Sequence, residues 1–590
     1  MQTDTTRIKL LRELLKSRIL VIDGAFGTYI QGLNFTAEDF GGAKYEGCNE
    51  NVVLTRPDTI HAMHRSFLQA GADLVETATF GAIPYVLGEY SLADKTHEIN
   101  KRAAEIARAE ADAFSTPDKP RFVIGSMGPG TKTISVTGGI TFEQVADAYE
   151  QMAIGLIEGG VDVLLAETMQ DTVNVKAVLT GIDRAIEKTG AQVAVSVQGT
   201  IETMGTTLAG QDIEAFYVSL AHRDLLWMGL NCSTGPDFMT DHLRTLSEIS
   251  RFYVSCVPNA GLPDEDGHYN QTPDVFAEKI ARFIDSGWVN LVGGCCGTTP
   301  EHIKLLAEAA AGKKPRTPST LRRSVVSGID TLVIDNDTRP VIVGERTNVL
   351  GSRKFKRLIA QGKFEEAAEV GRAQVRKGAH VLDVCLQDPD RNEMADVTTF
   401  LDILVKKIKV PLMIDSTDAA VIEESLKRSQ GKAIINSINL EDGEERFKRV
   451  VPIARRFGAA LVVGCIDEDK QQAQAITRER KLQIAEHSYK LLTEKYAIEP
   501  EDIIFDPLTF PIGTGDKNYI GAAVEIIEGI RLIKHALPRT KTILGISNVS
   551  FGLPPAGREV LNAVLLHHCV QAGLDLAMVN TEKLPRYPSI

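Results

Sequence analysis

The stretch VDVLLAETMQDTVNVKAVLTGIDRAIEK, residues 161–188, contains the unit from which this chain is built. Its first eight residues form a short apolar run rich in Val and Leu. From Thr172 to Lys188 the apolar residues return every three or four positions, the period of an amphipathic helix. A short strand buried on both faces and followed by a helix is the βα unit of a parallel sheet.

The same unit recurs on either side. Upstream lie ILVIDGAFGT (19–28), ADLVETATFG (72–81) and RFVIGSMGPG (121–130); downstream lie VAVSVQG (193–199), WMGLNCSTG (227–235), FYVSCVPNAG (252–261) and VNLVGGCCGTT (289–299). Helical stretches such as 142–158 separate them. Eight βα units in about 300 residues predict a (β/α)8 barrel. The segment AGKKPRTPST (311–320) then breaks the period with Gly, Pro and basic residues, as a linker does. Beyond it the pattern restarts as VIVGERTN, AHVLDVCL, VPLMIDST, AIINSINL, ALVVGCID, IIFDPLTF, TILGISNVSFG and LDLAMVN, again eight runs. The expected architecture is α/β, two tandem (β/α)8 TIM barrels over 1–310 and 336–590. A linker and preamble at 311–335 would form a hairpin or plug under the second barrel.

Composition narrows the function. A chain of 590 residues exceeds what one core supports. A net charge of −13 argues against a nucleic-acid binder, and no apolar run approaches a membrane span. Residues 1–18 carry charges throughout, with Ile8, Leu11, Leu14 and Leu15 at helical spacing, unlike a signal peptide. Eight cysteines are too few for a disulfide scaffold of this length. The expectation is a cytoplasmic protein with clustered thiols reserved for metal or catalysis. The basic run Arg353, Lys354, Lys356, Arg357 reads as a solvated helix face, or else as a landing site for an anionic substrate tail.

Barrel active sites form at the C-terminal ends of strands. That rule places Cys232, which closes the sixth strand, beside Cys295 and Cys296, which close the eighth. Three protein ligands with a fourth position open describe a catalytic zinc site. Flanking glycines in GGCCG let adjacent side chains reach one ion; a vicinal disulfide is the alternative. Cys48, Cys256, Cys385, Cys465 and Cys569 read as core residues.

The motifs DGAFGT, LNC and GGCCGTTPEH, within residues 18–310, resemble the homocysteine methyltransferase family. The resemblance implies zinc held by Cys232, Cys295 and Cys296, with homocysteine bound through its sulfur. A free thiol is only about 3% thiolate at pH 7, and zinc deprotonates a coordinating thiol. The resemblance also implies Asp23 and Glu167 for the substrate ammonium, backbone of Gly24, Ala25 and the turn to Thr28 for its carboxylate, and Asn231 as an orienting residue. Ala78 replaces the Asn of the family's ETNTF element, so strand two is expected to contribute no binding residue.

The second rim gathers Glu345, Asn348, Asp383, Asp415, Asn436, Asp506, Asn548 and, beyond strand seven, Arg558, a donor and acceptor ring suited to a flat nitrogen heterocycle. VGERTN, PLMIDST, FDP and GISNVSFG resemble the pterin-binding family, and within it the folate-binding modules of cobalamin-dependent methionine synthases. Ser547-Asn548-Val549 stands where a dihydropteroate synthase has Ser-Arg-Lys. Cys385 replaces an Asn common on strand two, which leaves that strand's contacts open. The tandem implies methyl transfer from 5-methyltetrahydrofolate, via cobalamin, to zinc-activated homocysteine, giving methionine and tetrahydrofolate. No D-x-H-x-x-G cobalamin-ligand motif is present, so the cobalamin-binding domain is expected to follow in the full-length protein. Rival readings are a corrinoid-independent thiol methyltransferase fused to a second folate-using barrel, and a non-catalytic corrinoid-docking scaffold.

Overall fold

A computed structural model describes residues 5–583, and the chain divides after Leu321 into two compact units. In the first, eight parallel strands follow one another around a sheet: β1 (Leu20–Val21), β2 (Leu74–Glu76), β3 (Phe122–Met127), β4 (Val163–Met169), β5 (Ala194–Gly199), β6 (Trp227–Asn231), β7 (Tyr253–Val257) and β8 (Leu291–Val292). β1 pairs with β8 through Leu20 and Leu291. The Ile22–Leu74 bridge then brings β1 to β2 and completes the circuit. Each strand falls on one of the eight apolar runs, β4 passing the end of its run by one residue, because a parallel strand covered by helices outside and side chains inside must be apolar on both faces. β3 and β4 are buried at every position.

The N-terminal helix Thr5–Ser17 turns Leu11 and Leu15 into the barrel interior, against Leu20, Leu74, Phe122, Val163 and Leu291. In the second unit that place is taken by a hairpin, β9 (Val325–Ser327) and β10 (Thr331–Val333). Its backbone bonds Lys409 and Lys432, which precede strands, so it caps the N-terminal end. Val326 and Ile334 join the interior core there. The preamble is thus a plug, built because a barrel's lower mouth exposes apolar interior layers that need a cover.

The second barrel closes fully: β11 (Val341–Asn348), β12 (Val381–Cys385), β13 (Leu412–Asp415), β14 (Ile434–Ile438), β15 (Ala460–Gly464), β16 (Ile503–Asp506), β17 (Lys541–Gly545) and β18 (Leu576–Val579), with β18 pairing back onto β11. The chain therefore carries two (β/α)8 barrels in tandem. No helix among the described residues is long and apolar enough to cross a membrane.

Candidate functional sites on the two barrel rims

The first rim is assembled around the β8 loop. Gly24, in the loop after β1, is required by packing: a Cβ there would stand 2.7 Å from the Phe67 ring and 2.8 Å from the Thr298 hydroxyl. The loop is tied to its neighbours by Gly294 N–H to the Asp23 carbonyl (3.2 Å), Gly297 N–H to the Thr28 hydroxyl (3.2 Å) and Cys295 N–H to the Pro258 carbonyl (2.8 Å). Asn259, buried beyond β7, accepts from the Cys296 N–H at 3.1 Å.

These ties bring Cys232, Cys295 and Cys296 together, with all three Sγ atoms within 4.8 Å of one another and Cys232 and Cys296 4.0 Å apart. A tetrahedral zinc with bonds of about 2.3 Å sets its sulfurs about 3.8 Å apart, so the trio fits the ion. All eight cysteines are free, the vicinal pair included, and Cys48, Cys256, Cys385, Cys465 and Cys569 are buried. Hydrogen bonds from Cys232 and Cys295 hold the Cys296 thiol down to about 3, while bonding to Cys232 and Cys296 pushes Cys295 upward. The trio therefore already favours one thiolate. Cys232 and Ser233 adopt φ of 59° and 49°, and Thr168 on the facing rim 56°. Non-glycine residues pay about 1–3 kcal/mol for such backbone, which is retained where function demands it.

Beside the thiols lies a group of three carboxylates. Asp23 is 1% exposed and accepts the Glu76 N–H on both oxygens, each at 3.1 Å. Glu167, 4% exposed, accepts from the Ser126 hydroxyl and from Asn231 Nδ2 at 3.1 Å. Asn231 also accepts the Thr168 N–H at 2.8 Å, so its side chain orients the end of β4. Burial raises all three acids: Asp23 and Glu76 well upward, with Glu167 adding to each, and Glu167 to about 7 against the Ser126 hydrogen bond. Glu76 Oε1 has no hydrogen-bond partner among the described residues. Strand two, expected to contribute no binding residue, places an acid in the cluster. Its place was the available signal: Glu76 ends β2, Asp23 lies two residues beyond β1, and Glu167 lies two residues before the end of β4. Gly24 and Ala25 lead into the short helix Phe26–Gln31.

On the second rim the expected residues separate into three groups. Asn348 Nδ2 donates to Asp383 at 3.1 Å and to Asp415 at 3.4 Å, and Asn436 also bonds Asp383. Asp383 is fully buried, with Oδ1 lacking a partner among the described residues; burial and then Asp415 raise its carboxyl well above the ordinary range. Asp415 is pushed to about 6 by burial, with Glu393 adding and Arg446 opposing. Glu345 forms a second group, accepting from the Ser547 hydroxyl at 2.9 Å; Arg558 bonds the Ser547 carbonyl at 3.3 Å and the Ser550 hydroxyl at 3.2 Å. Asn548 sits exposed on the turn between them. Asp506 stands apart, pushed to about 6 by burial against the Leu508 N–H and Lys481. Cys385 is buried on β12. Arg353, Lys354, Lys356 and Arg357 are exposed on the helix Arg353–Ala360, with Lys356 3.0 Å from Asp388. Arg446 was not anticipated. It donates to the Ser416 carbonyl at 2.6 Å, to the Thr417 carbonyl, and to the Ser437 carbonyl at 3.2 Å, holding the ends of β13 and β14.

Residues 20–310 match the homocysteine S-methyltransferase family and residues 344–580 the pterin binding enzyme family. The chain is 40% identical to methionine synthase of Mycobacterium tuberculosis over 97% of its length and 48% of the relative's, and 41% identical to that of Mycobacterium leprae over the same shares. It thus spans about half the length of the curated relatives it matches. Among solved structures, the homocysteine methyltransferase MmuM from Escherichia coli aligns at 21% identity, covering 51% of this chain and 98% of that one with a TM-score of 0.41. The first barrel of this chain thus belongs to the homocysteine S-methyltransferase family and the second to the pterin-binding enzymes.

Proposed function

We propose that this chain is the substrate-binding half of a cobalamin-dependent methionine synthase, moving a methyl group from 5-methyltetrahydrofolate, via cobalamin, to homocysteine. The observation that carries the reading is the cysteine trio, spaced for a metal and set beside buried carboxylates, in one chain with a pterin-type rim. Cys232, Cys295 and Cys296 would hold zinc, which when bound supplies a Lewis acid that keeps the substrate sulfur as a nucleophilic thiolate. Asp23, Glu76 and Glu167 receive the homocysteine ammonium, whose charge offsets the cost of burying three acids. Backbone of the Gly24–Thr28 turn faces its carboxylate, and Asn231 holds Glu167 in place.

On the second rim Asp383 Oδ1, buried without a partner, accepts an N–H of the pterin ring. Asn348, Asp415 and Asn436 complete that edge, while Glu345, Asn548 and Arg558 border it. Loss of methyl from N5 leaves a poor amine anion unless the nitrogen is protonated or strongly hydrogen-bonded. Asp415 and Asp506, each held near 6, are the groups best placed in acidity to share that proton. The relay between the two mouths would be cobalamin, which none of the residues named here is proposed to hold. Free thiols throughout accord with a cytoplasmic setting.

The test is metal analysis with thiol titration of the wild type and Cys295→Ala, with and without homocysteine, followed by methyl transfer from methylfolate with added cob(I)alamin. Zinc near one per chain, lost in the variant, and corrinoid-dependent transfer are expected. Transfer without corrinoid, or none with it, would overturn the reading.

A further inference from the structure

Lys481 lies on the helix Arg478–Lys490, between the loops that follow β15 and β16, and is fully buried. Its Nζ donates to the Ala475 carbonyl at 2.7 Å and to the Pro507 carbonyl, and lies 5.1 Å from the centre of the Phe510 ring. That ring stacks on Tyr519 with centroids 5.1 Å apart. The lysine stem passes Gly529 of the facing helix Ala522–Ala536, where a Cβ would come within 2.7 Å of Cδ. A buried ammonium is expensive, and two carbonyls and a ring face recover only part of its hydration. Nothing in packing requires a charge at this position.

The Pro507 carbonyl shows what the charge does. It belongs to the turn Asp506-Pro507-Leu508, in which Asp506 Oδ1 accepts the Leu508 N–H at 2.8 Å and Leu508 takes a φ of 66°. The turn fixes the Asp506 side chain, and Lys481 grips its middle peptide.

We propose that Lys481 is a positioning residue of the second mouth, whose buried ammonium pins the Asp506 turn to the loop after β15 and sets the charge state in which Asp506 meets a pterin. The assignment rests on the pterin-binding reading given above. The electrostatics agree: Asp506 is raised by burial with Lys481 opposing, and Lys481 is itself pushed down to about 8 by burial, against Cys465, Asp506 and Glu525. Of these, Cys465 is a buried thiol raised to about 12, hence neutral, and Glu525 is bound by Arg478 at 2.7 Å. Asp506 is therefore the rim acid whose carboxyl Lys481 lowers, against burial.

The experiment is the pH dependence of 5-methyltetrahydrofolate binding by the whole chain, measured for the wild type, Lys481→Met, Lys481→Gln and Asp506→Asn. An opposite charge within about 4–6 Å lowers a carboxyl's pKa by about one to three units. Neutralising Lys481 is expected to raise the binding midpoint by about one pH unit, whichever form of Asp506 binds, and Asp506→Asn is expected to remove that midpoint. Lys481→Gln keeps a donor for the carbonyls and carries the measurement if the Met variant melts. An unchanged midpoint in a folded variant, a midpoint that survives Asp506→Asn, or loss of fold in both Lys481 variants would overturn the inference. A wild type that fails to bind the folate at any pH would instead overturn the assignment of the second barrel.

Discussion

A thiol such as Cys296, held near 3 within a trio of sulfurs, is a ligand prepared for a cation. Removing one sulfur of three should cost more metal affinity than the 10–100-fold lost when supporting groups around a metal are changed. Cys296→Ala is therefore expected to purify without zinc and without homocysteine binding, while 5-methyltetrahydrofolate affinity measured on the same sample is unaltered. Asp383 shows the opposite economy, a buried acid kept although it costs stability. Its carboxyl is raised in the fold, so ionising it is penalised at neutral pH; the penalty builds as pH climbs above the unfolded value and vanishes below it. Asp383→Asn should stabilise the second barrel at pH 7 by about 1–2 kcal/mol, on the scale of relieving a strained buried polar group, and the gain should fade as pH drops toward 4. Folate affinity should fall in the same variant. Denaturant melts over a pH series would detect both signs.

At the scale of elements, the rims are held by side chains that cross between them. Arg446, from the helix Glu445–Phe457, serves carbonyls beyond β13 and within β14, the strands that carry Asp415 and Asn436. Charged hydrogen bonds to carbonyls are each worth about 1.5–3 kcal/mol. Arg446→Ala should lower stability by about 2 kcal/mol and weaken folate binding while sparing zinc content, as titration of both ligands would report. The hairpin β9–β10 acts at the other end. Val326 is 1% exposed in the interior core, and Val326→Ala should cost about 1–2 kcal/mol in an unfolding experiment, with no change in the rim chemistry.

Over the whole molecule, each barrel has its own interior core, and the proposed function gives each its own ligand. A ligand present at 100 times its Kd stabilises the unit that binds it by about 2.7 kcal/mol, which for a domain of this size raises Tm by about 5 °C. Calorimetry is expected to show two transitions: zinc removal should lower one, and 5-methyltetrahydrofolate should raise the other. A single transition moved equally by both ligands would refute this division.

The sixteen strands were legible because a parallel strand and its covering helix leave local periods of apolar residues, and periodicity is a property of neighbours in the chain. The cysteine trio was legible for a related reason: a vicinal Cys pair among glycines at a strand end is rare enough to announce itself. Glu76, Arg446 and Lys481 were not. Each resembles an ordinary surface acid or base in sequence, and its meaning comes from burial and from partners on other strands. Asp23 and Glu76 are 53 residues apart, yet they join because the first and second strands lie side by side in the barrel. The sequence by itself determined the two barrels and singled out the three thiols that the fold brings together. Only the tertiary structure decided which acids are driven from water, which cations oppose them and how the second rim divides into separate groups, because charge energetics depend on distance and dielectric rather than on order along the chain.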